Sequence, residues 1–160
     1  MKILVTGASR HGATAQIGAA VAAVLRGQGH QVEEMAPENV EDVGQYDAVV
    51  MGSAVYVGRW LEPSRSLVDR HATQLAERPV WLFSSGPLGD PPKPAEDPDV
   101  SALLEATRAV EHRVFTGKLD KSSLGPLERT VARAVRAPEG DYRDWDAINE
   151  WAEKIAASLS

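Results

Sequence analysis

The sequence has no cysteine among its 160 residues, and only 6% of its residues are aromatic. The missing thiols exclude disulfide bonds, thiolate catalysis, cysteine-ligated zinc and cysteine-bound iron–sulfur clusters. Any redox activity therefore requires an organic cofactor or a metal site built without thiols. No two of the four histidines stand three or four residues apart, so the sequence predicts no metal site.

Positive charge is also scarce. The chain has 17 Lys and Arg residues against 23 Asp and Glu residues, which gives a formal net charge of −6. Nucleic-acid-binding domains normally carry a basic excess instead. The sequence shows no signal-peptide pattern and no apolar stretch near the ~20 residues of a membrane span. We therefore expect a cytoplasmic protein that does not bind nucleic acid.

The remaining composition is typical of a folded globular chain, with 43% hydrophobic and 25% charged residues. Such a chain buries enough apolar surface to avoid global disorder. At roughly 100–200 residues per domain, the length predicts a single domain over residues 1–160.

Short apolar runs alternate with helical patterns along the chain. The runs predict five buried strands, near residues 3–5, 31–35, 48–51, 79–83 and 111–116. The helical patterns span residues 12–28, 61–75, 100–109 and 144–159. This alternation predicts an α/β fold, a three-layer sandwich in which a five-stranded parallel sheet of order 2-1-3-4-5 carries helices on both faces. Ligands bind such sheets at the carboxyl ends of the strands.

The loop after the first strand is built from small, hydroxyl-bearing and glycine residues and opens directly into a helix. Unpaired backbone N–H groups and the helix dipole favour an anion at such a position. Ser9 and Thr14 can add hydroxyl donors, and Gly12 lets the backbone curve closely around the anion. The loop is therefore predicted to bind a phosphate group. The alternative is a tight strand-to-helix turn that Ser9 caps without a ligand.

Three loops together resemble those of the flavodoxin-like, FMN-binding family. The segment Ser9-Arg10-His11-Gly12-Ala13-Thr14 is similar to the flavodoxin phosphate loop, Thr/Ser-x-Thr-Gly-x-Thr. Residues 52–60 and 84–89 stand where flavodoxins place the two loops that contact the isoalloxazine ring. The resemblance implies that FMN binds to Ser9, Arg10, His11, Gly12, Ala13, Thr14, Ser53, Ala54, Val55, Tyr56, Val57, Gly58, Ser84, Ser85, Gly86 and Pro87.

The second and third loops would surround the flavin ring. By the resemblance, main-chain groups would come from Ser53, Ala54, Ser85 and Gly86. Tyr56 is predicted to stack on the ring, whereas Trp60 either stacks on it or packs on the sheet at the start of a helix. We assign no side chain a catalytic role, because the flavin itself would carry the redox chemistry.

Within this family, the chain is most similar to the branch that includes menaquinone-dependent protoporphyrinogen dehydrogenase. The shared features are Arg10 in the phosphate loop, a basic segment after the fifth strand, and Asp144-Trp145-Asp146 at the start of the last helix. This resemblance implies an oxidoreductase or electron-transfer protein, with quinone-linked oxidation of a porphyrinogen in heme biosynthesis as its leading reaction. A redox partner or a quinone would be its electron acceptor.

Two further functions stay open. His11 stands where the flavodoxin phosphate loop has its central Thr, which favours a flavodoxin-fold binding or regulatory module that has lost FMN. The other function is an NAD(P)H:quinone reductase of the related fold, although the sequence reveals no nicotinamide site. The absorbance spectrum of the purified protein distinguishes a flavoprotein from a cofactor-free module.

Residues 118–137 form a small basic segment in an acidic chain, with five positively and two negatively charged side chains. A helix beginning near Pro126 would place Arg129, Arg133 and Arg136 on one face. One interpretation is a solvated helix face over the edge of the sheet. The other is peripheral contact with an anionic membrane surface, a quinone-linked partner or the propionates of a porphyrinogen.

Overall fold

The computed structural model describes residues 1–9, 13–56, 59–85, 101–115, 118–119, 140–141 and 145–159. The strands in these ranges are Lys2–Ala8 (β1), Gln31–Met35 (β2), Ala48–Tyr56 (β3), Arg59–Trp60 (β4), Val80–Ser85 (β5), Glu111–Phe115 (β6), Lys118–Leu119 (β7) and Gly140–Asp141 (β8). The α-helices in these ranges are Ala13–Gly27 (α1), Glu62–Ala76 (α2), Ser101–Thr107 (α3) and Trp145–Leu159 (α4).

Five of the strands form a parallel sheet in the order β2-β1-β3-β5-β6, which confirms the predicted order 2-1-3-4-5 and the predicted α/β class. The short strand β4 pairs antiparallel with the end of β3. The register places Ala8 opposite Ser53 and Ser53 opposite Ser84. The ends of β1, β3 and β5 therefore meet at one edge of the sheet, which we call the carboxyl edge and where all three predicted loops begin.

Helices α1 and α4 cover one face of the sheet. Helix α1 is rich in alanine and packs closely on β1. At Gly18, for example, an added Cβ would lie 3.4 Å from Cγ1 of Val5 in β1. The apolar stripe of α4 recurs at the helical period and is buried in this core. Its members are Ile148, Trp151, Ala152, Ile155, Ala156 and Leu159. The rings of Phe83, Phe115 and Trp151 pack together here, with centroids 5.4–6.4 Å apart.

Helix α2 covers the opposite face, and α3 packs beside it. Side chains of α2 and of the three central strands form one buried cluster there: Leu4, Val49, Met51, Leu67, Val68, Leu75, Val80 and Leu82. Because β1, β3 and β5 are buried on both faces, they consist of near-continuous apolar runs, as central parallel strands do. The carboxyl edge is the part of this layered arrangement where the predicted site begins.

Strands β3 and β5 are longer than the apolar pattern predicts. The expected ends were residues 51 and 83, but parallel pairing continues through Gly52 and Ser53 in β3 and through Ser84 and Ser85 in β5. Ladder hydrogen bonds join backbone groups, so glycine and serine can extend a strand when its neighbours are in register.

Residues 86–100 and the predicted helix near Pro126 lie outside the described residues. Among the helices that the structure describes, none has the length and apolar character needed to cross a bilayer.

Candidate functional site

Buried hydroxyl groups without partners mark the junction of β1 and α1. Among the described residues, Oγ of Ser9 and Oγ1 of Thr14 are buried there and have no hydrogen-bond partner. Oγ1 of Thr6 is also unpartnered, but Thr6 alternates with Val5 along β1 and therefore lies on the α2 face of the sheet with Leu4. Thr14 stands in the first turn of α1 and is 0% exposed. A buried hydroxyl left unpaired costs about 1–3 kcal/mol, and native structures that retain one usually complete it with an ion, a water or a ligand.

Gly7 creates the space for this arrangement. A Cβ at Gly7 would lie 3.2 Å from Cγ2 of Thr14, so any side chain at position 7 would press on the first turn of α1. Because position 7 has no side chain, the N-terminus of α1 can lie close to the end of β1. The first N–H groups of a helix have no intrahelical partner and carry partial positive charge. Together with the unpaired hydroxyls, this donor set fits an anionic phosphate group.

The second predicted loop begins in a β-hairpin that is anchored by two buried serines. Oγ of Ser53 accepts a hydrogen bond from the N–H of Leu61 at 2.8 Å and donates to the carbonyl of Ala54 at 2.8 Å. Oγ of Ser64 donates to the carbonyl of Gly52 at 2.8 Å. Through these bonds, the start of α2 is fixed to the carboxyl end of β3.

Trp60, on the returning strand of this hairpin, packs inside the protein. The side chain is 2% exposed, and its Nε1–H donates to Oγ of Ser84 at 2.7 Å. The structure therefore supports packing on the sheet, the second of the two interpretations of Trp60, since a buried indole offers no stacking face to a ligand.

Ser84 belongs to a hydrogen-bond chain that extends to the outer strand β6. Its Oγ lies 2.6 Å from Nε2 of His112 as well as 2.7 Å from Nε1 of Trp60. His112 is half-buried. The chain spans β4, β5 and β6 just below the carboxyl edge.

Phe83 lies flat against Gly52 across the β3–β5 pair. A Cβ at Gly52 would lie 2.3 Å from Cζ of Phe83, a distance that real Cβ atoms do not reach. Glycine at position 52 is therefore required by the aromatic ring opposite it, independently of any turn. This contact lies just below the ends of the two strands that begin the second and third loops.

The shifted pKa values that are resolved in the described part of the chain lie away from the carboxyl edge. Burial, reinforced by the hydrogen bond to Glu33 and by its charge, raises the pKa of Tyr46 to about 12. The backbone N–H of Gly44 and the side chain of Gln74 lower the pKa of the exposed Asp42. Both groups belong to the segment that leads into β3.

Comparison with known proteins identifies the family. Residues 4–146 match the family model described as a flavodoxin domain. The chain belongs to the flavodoxin-domain family. This finding confirms the resemblance to that family, and it agrees with the observed strand order.

Individual relatives agree with this assignment. The flavodoxin domain is 29% identical over 178 aligned residues to the protoporphyrinogen IX dehydrogenase (quinone) of Escherichia coli strain K12, covering 98% of this chain and 95% of that protein. An archaeal flavodoxin superimposes with a TM-score of 0.67 at 15% identity and 99% coverage of both chains. The rubredoxin:oxygen oxidoreductase of Desulfovibrio gigas superimposes with a TM-score of 0.62 at 16% identity, over 99% of this chain and 36% of that one.

The structure describes part of the predicted FMN site in this flavodoxin domain. Ser9 follows β1 and Thr14 lies in the first turn of α1, and Ser53 and Ser84 lie on neighbouring strands. Ala54, Val55 and Ser85 complete the ends of β3 and β5, and Ala13 begins α1. The residues Arg10, His11, Gly12, Val57, Gly58, Gly86 and Pro87, and the side chain of Tyr56, lie outside the described part. Their roles stay predictions.

Two features of the flavodoxin domain were missed from sequence. One is Thr6, whose unpaired hydroxyl precedes the predicted loop. The other is the bond between Trp60 and Ser84. The sequence offered one signal for both features, which is a hydroxyl residue within an otherwise apolar strand. Such a residue is buried with its strand, and its hydroxyl then needs a hydrogen-bond partner from elsewhere in the chain.

Proposed function

We propose that this flavodoxin domain binds FMN at the carboxyl edge and functions as an FMN-dependent oxidoreductase or electron-transfer protein. The observation that carries the proposal is the pair of buried hydroxyls of Ser9 and Thr14 at the N-terminus of α1, which have no partner among the described residues. A phosphate bound at this position would give both hydroxyls an acceptor. Membership of the family independently supports a flavin.

The proposed site divides into two parts. Ser9 to Thr14 would hold the phosphate through two hydroxyls and main-chain N–H groups. The ring would lie between the loop of residues 53–58 and the loop of residues 84–87. When bound, FMN supplies hydride or single-electron transfer, and the protein orients it and limits access to its exposed edge.

For the reaction, we propose quinone-linked oxidation of a porphyrinogen in heme biosynthesis, with a quinone or a redox partner as acceptor. Similarity to the Escherichia coli protoporphyrinogen IX dehydrogenase (quinone) over 98% of the chain supports this substrate class. We further propose that residues 1–160 act as one cytoplasmic domain. Basic residues of the segment 118–137 would make at most peripheral contact with a membrane.

Titration of the FMN-free protein tests cofactor binding. Addition of FMN should quench flavin fluorescence with one site per chain, and the purified complex should be yellow. Riboflavin, which has the same ring but no phosphate, should bind much more weakly because it leaves the hydroxyls of Ser9 and Thr14 unpaired. A colourless protein that takes up no FMN would refute the proposal and favour a cofactor-free binding module.

Steady-state turnover tests the reaction. The FMN-loaded protein should convert protoporphyrinogen IX to fluorescent protoporphyrin IX with menadione as acceptor. An FMN-loaded protein that instead oxidises NADH with menadione, and leaves protoporphyrinogen IX unchanged, would be an NAD(P)H:quinone reductase.

A further inference from the structure

A buried hydrogen-bond chain joins the bases of the two loops that would surround the flavin ring. Nε1–H of Trp60 donates to Oγ of Ser84 at 2.7 Å, and that oxygen lies 2.6 Å from Nε2 of His112. Trp60 is the last residue of β4, at the end of the hairpin that follows β3. Ser84 is the penultimate residue of β5, two positions before Gly86. One hydrogen bond therefore spans both loop bases.

The direction of this bond is fixed by chemistry. An indole nitrogen can only donate, so the oxygen of Ser84 must accept from Trp60. The hydroxyl can then either donate to an unprotonated Nε2 of His112 or accept a second bond from a protonated one. In both arrangements, Ser84 is held from two sides. Because the bond is buried, Ser84→Ala leaves the N–H of Trp60 without its partner, whereas replacement of Trp60 leaves Ser84 its contact with His112.

The two strands of the hairpin are joined to their neighbours by different bonds, and the returning strand β4 is joined to β5 through Trp60 and Ser84. Ser53 and Ser64 join the end of β3 to the start of α2. In β3, the parallel ladder with β5 continues to the end, with Ser53 opposite Ser84 and Ala54 opposite Ser85. The Trp60–Ser84 bond adds a side-chain cross-link from the returning strand β4 to β5.

We propose that the Trp60–Ser84 hydrogen bond is a positioning contact that sets the spacing of the two ring-binding loops, and through it the affinity and the midpoint potential of the bound flavin. This inference rests on the proposed function. A planar ring requires a slot of fixed width, and groups that contact its edge must be held to within about 0.5 Å to act on it. A cross-link at the base of both loops supplies that constraint.

A double-mutant cycle tests the inference. Ser84→Ala and Trp60→Phe each break the bond, and each should weaken FMN binding about tenfold and shift the midpoint potential of bound FMN. The double variant should lose no more affinity than the more affected single variant, because both changes remove the same contact. Fluorescence titration gives the dissociation constants, and spectroelectrochemistry gives the potential.

Thr107→Val is the matched control. Oγ1 of Thr107 is buried and donates to the carbonyl of Leu103 at 2.8 Å, at the carboxyl end of α3. This end lies near the start of β5, since the N–H of Val110 donates to the carbonyl of Val80. The control should lower the free energy of unfolding to a similar extent as Ser84→Ala, with unchanged FMN affinity and potential.

Each outcome has one meaning. If Ser84→Ala has the same FMN affinity and the same midpoint potential of bound FMN as Thr107→Val, the bond only stabilises the fold and the inference is wrong. This comparison does not require that Trp60→Phe folds. Additive losses in the double variant would also overturn it. If the wild-type protein binds no FMN, the proposed function and this inference are both wrong. If the wild type binds FMN and Ser84→Ala binds it equally tightly, only this inference is wrong.

Discussion

At the scale of single residues, the hydroxyl of Thr14 acts in opposite directions on folding and on binding. Its Oγ1 is buried without a partner among the described residues, so it destabilises the FMN-free protein. The same hydroxyl becomes favourable when it donates a hydrogen bond to a phosphate oxygen. A ligand-binding hydroxyl therefore differs from a purely structural one in the sign of its effect on stability.

Thr14→Val is expected to raise the free energy of unfolding of the FMN-free protein by about 1 kcal/mol. The same substitution should weaken FMN binding about tenfold, because valine has the shape of threonine without the hydroxyl. Urea unfolding and FMN titration measure the two effects.

Thr73→Val is the control for Thr14→Val. Thr73 is exposed on α2, on the other side of the sheet from α1, and the substitution should change neither quantity. Unaltered FMN affinity in Thr14→Val would show that its hydroxyl takes no part in the site.

Tyr46 is a buried residue with a charged partner at the start of β1 and β2. Its hydroxyl donates to Oε2 of Glu33, and Nζ of Lys2 lies 3.7 Å from Oε1 of the same carboxylate. Burial is the main cause that raises the pKa of Tyr46 to about 12. The neutral phenol is therefore favoured in the folded state.

The free energy of unfolding should fall as pH rises from 10 to 12, because the unfolded chain, with an ordinary tyrosine pKa of 10.0, loses the proton before the folded protein does. The contribution is complete below pH 10 and is lost as pH passes through the folded pKa. When the free energy of unfolding, measured with urea, is plotted against pH over this range, it should fall less steeply for Tyr46→Phe than for the wild type. Equal slopes for the two proteins would contradict the assignment of the loss to Tyr46.

At the scale of elements, the β3–β5 pair depends on a glycine that faces an aromatic ring. A Cβ at Gly52 would lie 2.3–2.4 Å from three atoms of the Phe83 ring. The ring is also buried against Phe115 and Trp151, so it has no free space into which it can move. The two strands therefore approach each other only if position 52 has no side chain.

Gly52→Ala is expected to destabilise the protein by at least about 1–3 kcal/mol, since overpacking a filled core forces the ring or the backbone to shift. Gly52→Ala combined with Phe83→Leu should recover part of that loss. Gly27→Ala, at the end of α1, where an added Cβ meets nothing within 4 Å, should cause no loss. Urea unfolding of the variants measures these differences; additive losses in the combined variant would exclude the proposed clash.

The elements could be predicted from sequence wherever a repeating apolar pattern defines them. Strand β2 has the predicted ends 31–35, and α2 and α4 begin within one residue of prediction. The ends of β3 and β5 were wrong because serine and glycine are typical of turns, whereas here Ser53 and Ser84 bond to Leu61 and Trp60. Those contacts join residues that are far apart in sequence and therefore leave no local pattern.

The candidate site was predictable to the same extent. Ser9 and Thr14 stood out because a strand, a short loop and a helix N-terminus follow one another along the chain. Trp60 could not be assigned, since the sequence of a stacking tryptophan and that of a packed one are alike until its partner is known. The partner, Ser84, comes from another strand.

At the scale of the whole molecule, the site and the core share the same elements. Strand β1 and helix α1 supply the unpartnered hydroxyls and also supply Ile3, Val5, Ile17 and Val21 to the buried core. A ligand bound at their junction therefore links two elements that must separate when the protein unfolds. Binding should stabilise the entire fold rather than one loop.

Free FMN at about 100 times its dissociation constant should add about 2.7 kcal/mol to the free energy of unfolding. For a chain of this size, that addition corresponds to a rise in Tm of about 5–10 °C. Differential scanning calorimetry measures the shift, and riboflavin at the same concentration should produce a much smaller one. Equal shifts with FMN and riboflavin would show that the phosphate contributes nothing.

The contact between Gly52 and Phe83 also restricts how this sequence can diverge. Since no side chain fits at position 52 while an aromatic ring occupies position 83, neither residue can change freely by itself. A descendant that acquires a larger residue at 52 must first, or simultaneously, acquire a smaller one at 83. The residue types at positions 52 and 83 should therefore change together among related sequences. A lineage that changes both must pass through an intermediate in which a smaller residue at 83 leaves the core less well packed.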